Sequence, residues 1–173
     1  MPNWKETLRK WCQQTDLPSG WTAFSLRDYA LVPLAVAQIA SQRQGSLLVV
    51  VADAAKLDAL SNALDTYRKI LGDPRPLIPL PEVAISRSQW VPENEAGRCA
   101  ALQAALNQRE GIYLTTVQVL LSSTLSPRKF RQNSFTLKRG MNISPETLAA
   151  KLVKLDYDNE FEVQTPGDFA RRG

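Results

Sequence analysis

Histidine is missing altogether from the 173 residues. Without an imidazole, no Ser–His or Cys–His nucleophilic pair can be built, and a zinc site is not expected. Cysteine is scarce. Cys12 and Cys99 stand far apart with no CxxC context, so reduced thiols in the cytoplasm are the expected setting. No apolar run approaches the roughly 18 residues that a membrane span needs, and no membrane partner is expected. The opening Met1-Pro2-Asn3-Trp4-Lys5-Glu6 lacks the basic-then-apolar order of a signal peptide. Phosphate-binding signatures are missing too. A GxxxxGK[ST] loop wraps phosphates with backbone N–H groups and meets their charge with lysine. Neither Gly20 nor Gly45 begins such a loop, and no GxGxxG occurs. The chain therefore offers no catalytic, cofactor-binding or metal-binding residue, and it is not expected to be an enzyme.

What is present reads as an α/β layer fold. Trp4, Leu8, Trp11 and Cys12 make one apolar stripe on a short helix over 3–14, which is expected to pack on a neighbour. A second helix begins near Ser25, with Asp28 placed as in a capping box. Pro33 starts or kinks its regular part, predicted at about 33–43. The run Leu47-Leu48-Val49-Val50-Val51-Ala52 reads as a parallel strand buried on both faces. Asp53 then opens a helix that carries Leu57, Leu60, Leu64, Tyr67 and Leu71 and stops at Gly72 and Pro74. Leu77-Ile78-Pro79-Leu80 fits a short edge strand within a proline-rich loop that includes Trp90. Helix resumes over about 93–109, packing through Ala100, Ala101, Leu102, Ala105 and Leu106, and Gly111 ends it. Ile112-Tyr113-Leu114-Thr115 is another inner strand, followed by a short helix over 116–121.

Beyond Pro127 the pattern changes. Ser134-Phe135-Thr136-Leu137-Lys138 alternates as a half-buried strand does. Ser144 and Pro145 mark a helix start, with Ile143 placed to staple onto Leu148, and the helix buries Leu148, Leu152 and Leu155. Glu160-Phe161-Glu162-Val163-Gln164 alternates again. Pro166-Gly167 then sets up a turn, and Phe169-Ala170-Arg171-Arg172-Gly173 points into a second strand. The chain is expected to end inside a β-hairpin and so to be part of a longer protein. Two domains follow, 1–130 and 131–173, with the join somewhere in 126–134.

Charge is segregated. Arg128, Lys129, Arg131, Lys138 and Arg139 run without an acid, and Asp156, Asp158, Glu160, Glu162 and Asp168 run without a base. Two solvated faces of opposite sign explain this, as does a polar docking surface around the closing hairpin. Asp53 reads as a helix cap rather than a metal ligand. Asp156, Asp158 and Glu160 form a DxDxE run without the glycine and further ligands of a calcium loop. Trp90 alone among the tryptophans is open to a base-stacking role.

Three stretches in order carry a family resemblance. They are Leu80-Pro81-Glu82 with the helix bearing Arg98 and Leu102, then Gly111 through Leu121, and finally Pro166-Gly167-Asp168-Phe169-Ala170-Arg171-Arg172-Gly173. Together, residues 80–173 resemble the N-terminal UvrB-like module of bacterial transcription-repair coupling factors, the Mfd family. The closing motif is similar to a hairpin that this family shares with UvrB. The resemblance implies a degenerate RecA-like (P-loop NTPase-like) parallel-sheet α/β domain lacking Walker motifs, followed by the start of a small α+β domain that binds UvrA. It implies that Arg172, with Arg171 and Phe169 beside it, contacts UvrA, through a charge-assisted bond from Arg172 to a carboxylate. It also implies a full-length ATP- and Mg-dependent DNA translocase acting on stalled RNA polymerase and double-stranded DNA. A UvrB's long aromatic damage-clamping hairpin has no counterpart between Leu80 and Arg98. The alternatives are a UvrB-like or helicase-like ATPase fragment, and a non-specific DNA-binding fragment that uses the basic cluster at 128–139.

Overall fold

The computed structural model describes residues 3–14, 29–82, 92–165 and 167–171. The helix cap at Ser25, the loop around Trp90 and Arg172 lie outside them. Helix α1 (Trp4–Gln14) comes first, then a 3-10 turn (Tyr29–Leu31) leading into α2 (Val32–Gln42). Pro33 sits in the first turn of α2, where its missing N–H costs no helical bond. Strand β1 (Leu47–Val51), α3 (Ala54–Leu71), β2 (Leu77–Pro79), α4 (Pro92–Leu106) and β3 (Ile112–Thr116) then build a parallel sheet in the order β1-β3-β2. Leu47 lies opposite Ile112 and Val51 opposite Thr116, while Leu77 shares the Ile112 level from the other side. The fold is mixed α/β with a small parallel sheet, and β2 is an edge strand as its prolines predicted.

One face of the sheet carries the main core. Ala37 and Ala40 of α2 and Leu57 and Leu64 of α3 close on Ile112 and Leu114, with Leu47, Val49 and Val51 packed around them. On the other face α4 covers only the β2 side, where Ala101 and Ala104 meet Ile78, Leu80 and Tyr113. This corrects the expectation that β1 is buried on both faces: Leu48 is 55% and Val50 40% exposed. The cause is position, because β1 is a sheet edge and α4 lies over the opposite edge. It also corrects the packing face of α4, since Ala100 and Ala105 are exposed while Ala104 is buried.

Helix ends are specified locally. Asp53 caps α3 through the Lys56 N–H at 2.9 Å. At the other end Gly72 takes φ 81°, so that its own N–H reaches Lys69 O and the Asp73 N–H reaches Arg68 O. Gly111 answers a different need, since a Cβ there would sit 2.6 Å from Ile78 Cδ1 and 3.2 Å from Pro76 O. Beside Gly72, Arg75 forks onto Asp73 at 2.6 and 3.0 Å and also donates to the carbonyls of Gly45 and Ala40. That clamp ties the end of α2 to the chain entering β2. Helix α1 attaches through buried Cys12, whose carbonyl accepts from the Gln42 amide at 2.8 Å. Trp4, expected to pack, is 60% exposed. It lies in the first turn, away from the contact that Cys12 makes in the last.

After α5 (Val117–Leu121) the chain forms α6 (Pro127–Gln132), α7 (Pro145–Lys154), and the two-residue strands β4 (Asp158–Asn159) and β5 (Asp168–Phe169). Two strand expectations fail here. Residues 134–138 form no strand, with Phe135 and Leu137 36% and 53% exposed. Residues 160–164 form none either, and Phe161 is 96% exposed. Alternating side chains specify a strand only where a sheet takes up the backbone and a core takes up one face, and neither segment has these. In place of an antiparallel hairpin, β4 and β5 pair in parallel, Asp158 with Asp168 and Asn159 with Phe169.

Candidate docking surface

The last elements are arranged around α7. Ser144 caps it, accepting from the Thr147 N–H at 3.2 Å, and Pro145 and Glu146 complete a strong helix start. At its other end Asp156 holds φ 67°, placing the Asp156 N–H on Val153 O and the Tyr157 N–H on Leu152 O. This is the same closing arrangement that Gly72 gives α3, made here by a residue for which left-handed backbone is strained. Asp156 therefore serves helix termination. Among the described residues no group of three metal-ligating side chains assembles, so Asp156, Asp158 and Glu160 are not brought together as a DxDxE site.

The apolar stripe predicted for α7 is present but only partly covered. Leu148, Leu152 and Leu155 are half-buried, and no residue of the helix is fully buried. Val153 and Tyr157 are 58% and 40% exposed. The expected burial of the three leucines is thus corrected: among the described residues none of α7 is fully buried, and its main neighbour is β4.

Asp168 organises the turn before β5. Its Oδ2 accepts from the N–H groups of Thr165 (2.9 Å) and Gln164 (3.1 Å) and from the Thr165 hydroxyl (3.2 Å). Those backbone donors hold its carboxyl below the ordinary aspartate value. Gly167 supplies φ 111°, as a turn glycine should, while Pro166 lies outside the described residues. Phe169 is half-buried in β5. Arg171 reaches back across the fold, its Nη2 standing 2.5 Å from Glu146 Oε1 at the start of α7. Glu146 is held below its usual value by its own backbone N–H first, then by Ser144 and the Arg171 charge. The structure thus brings Arg171 to the start of α7, where it is engaged internally, and places Phe169 in β5 opposite Asn159.

Glu146 was missed from sequence. An acid in the first turn suits the helix dipole, and nothing local shows that Arg171 returns to it. Helix α6 was missed as well. Its signal was legible, since Ser126-Pro127 repeats the Ser144-Pro145 start and Ser126 Oγ accepts from the Lys129 N–H. A single apolar anchor, Phe130, which is 9% exposed, gave no periodicity to read. Four cations of the 128–139 cluster and its neighbours fall in the last turns of α6 and α7, namely Lys129, Arg131, Lys151 and Lys154.

The carboxyl edge of the main sheet is differently equipped. Asp53 accepts from the Lys56 N–H and pairs with its ammonium at 3.0 Å, both of which lower its carboxyl. Thr116, fully buried, caps α5 and stands 3.4 Å from Glu82 Oε1. Arg98 is 7% exposed and donates to Ser123 O at 3.4 Å, with Nη1 lacking a partner. It links α4 to the chain after α5. No helix among the described residues is long and apolar enough to cross a membrane.

No family model matches the chain. It is similar to a transcription-repair-coupling factor of Borreliella burgdorferi, 24% identical over 131 residues. That alignment covers 76% of this chain and 11% of the other protein. At this level the chain is distantly related to a transcription-repair-coupling factor and spans a small part of its length.

Proposed function

We propose that this chain is an interaction module in transcription-coupled nucleotide excision repair, and that its C-terminal part recruits UvrA. The observation that carries the reading is the uncovered apolar surface beside the closing arm. Val153 and Tyr157 at the end of capped α7, and Phe161 and Val163 in the segment that follows, are 40–96% exposed. Exposed apolar side chains on a structured face mark an interaction surface. The distant similarity to a coupling factor supports the process. Phe169 would supply the aromatic anchor and Arg172 the charge-assisted bond to a carboxylate of UvrA. Arg171, already held by Glu146, would orient the arm.

In this reading the first unit, 1–130, is a RecA-like layer without nucleotide chemistry, and 131–173 opens the UvrA-binding unit, with α6 running across the join. The connection from β1 to α3 is only Ala52 and Asp53, and the Asp53 carboxylate occupies the start of α3. A helix N-terminus filled by its own anion is a poor seat for phosphate. The chain itself would be cytoplasmic and without catalysis. ATP and Mg use, and contacts to RNA polymerase and double-stranded DNA, would belong to a full-length translocase. Titration of immobilised UvrA with this chain tests the docking. Phe169→Ala and Arg172→Ala should each weaken binding by about tenfold or more, as central anchors do. Undiminished binding by both variants would refute the assignment.

A further inference from the structure

We propose that the last turns of α6 and α7 form a binding face for the phosphate backbone of a nucleic acid. This inference rests on different residues from the UvrA reading and stands without it. From Ser126 to Leu155 the chain carries Arg128, Lys129, Arg131, Lys138, Arg139, Lys151 and Lys154 against one acid, Glu146. That acid is taken up by Arg171. All seven cations are exposed, and among the described residues none forms an ion pair. Elsewhere Lys10 pairs with Glu6, Lys56 with Asp53, Lys69 and Arg68 with Asp65, and Arg75 with Asp73, while Lys5, Arg9, Arg98 and Arg109 are dispersed cations with no ion pair among the described residues.

The fold brings two of these charges, Lys151 and Lys154, to one hollow. Between the two helix ends lies an open hollow of about 260 Å³, lined by Gln132, Asn133, Ser134, Phe135, Lys151 and Lys154 with Leu155 beneath. Lys151 Nζ stands 5.5 Å over the Phe135 ring, which holds the ammonium at the mouth without neutralising it. The amides and hydroxyl beside it are neutral partners that phosphate oxygens accept from. Helix dipoles favour a base in a last turn, and that accounts for Lys129, Arg131, Lys151 and Lys154 taken singly. It does not account for Arg128, which sits in the first turn of α6 where a cation is disfavoured, nor for Lys138 and Arg139 outside any helix. Lysines beside an aromatic ring and neutral donors fit a regularly charged backbone that carries bases.

Fluorescence anisotropy with a labelled 20-base-pair duplex and its single strand tests the proposal. The whole chain should bind one or both. Affinity should fall about a hundredfold between about 50 and about 200 mM salt, the slope of roughly four neutralised phosphates. Lys151→Glu with Lys154→Glu should weaken binding and flatten that slope by about two contacts, with an unchanged circular dichroism spectrum. Lys5→Glu with Lys10→Glu on α1 makes the same change in net charge and should leave both quantities alone. The tighter of the two strands identifies the form that is held. No binding at about 50 mM salt, an equal loss from the α1 pair, or equal displacement by polyglutamate at matched charge would each overturn the proposal.

Discussion

The two halves of this molecule are built by different means. Every fully buried hydrophobic side chain among the described residues lies at or before Phe130, and from Arg131 onward no described residue is buried. The α/β layer is held by burial around Leu64, Ile112 and Leu114 and by the Asp73–Arg75 clamp. The part around α7 is held by local devices: a serine cap, a left-handed aspartate, an aspartate-bonded turn and one exposed ion pair. A layer that satisfies itself is a scaffold. A capped, half-covered surface is what the proposed partner would complete.

That contrast can be broken, first, in the core. Leu64→Ala removes a 0%-exposed side chain from the centre of the layer and should cost about 2–5 kcal/mol in urea unfolding. Arg75→Leu should follow at about 3 kcal/mol, because it leaves the Asp73 carboxylate buried and unpaired. If either variant unfolded at the wild-type midpoint, burial would not be what holds the layer.

Smaller effects are expected around α7. Ser144→Ala removes the cap and should cost about 1 kcal/mol, read as faster amide exchange in α7 alone. Asp156→Gly relieves a φ of 67° and should slow that exchange, a gain of about 1 kcal/mol. Exchange in β1 and β3 should stay unchanged in both, and a change there would show that the halves fold as one unit.

The smallest effect is set by pH. Asp168 and Glu146 both have folded values below their ordinary ones. Their contribution is therefore complete above about pH 5 and is lost as pH falls through and below about 4. Amide exchange at Gln164 and Thr165, corrected for intrinsic rate, should show reduced protection at about pH 3 relative to about pH 6. Equal protection would mean that the Asp168 carboxylate does not hold the turn.

The sequence was most legible where local chemistry and tertiary packing agree. The 3-4-3-4 series Leu57, Leu60, Leu64, Tyr67 and Leu71, the Asp53 cap and Gly72 specify α3, and Ser144-Pro145 does the same for the start of α7. It was least legible where an ambiguous pattern needed a distant partner to decide it. Leu48 and Val50 look like an inner strand because the apolar run says nothing about which edge α4 will cover. Phe135-Thr136-Leu137 and Phe161-Glu162-Val163 alternate as strands do, but the sheet that would take them up is not part of the described fold. At the candidate site, the closing motif drew attention to Phe169 and Arg171 but did not show that Arg171 pairs inside the fold. Glu146 was not legible, because a pairing across 25 residues leaves no trace in local spacing.

The most direct test is hydrogen–deuterium exchange of this chain with and without UvrA. If the α7 region is the surface that a partner completes, peptides covering 145–171 should gain protection on adding UvrA while those of β1, α3 and β3 stay unchanged. Unchanged exchange at 145–171 with saturating UvrA, or protection confined to the α/β layer, would contradict the account.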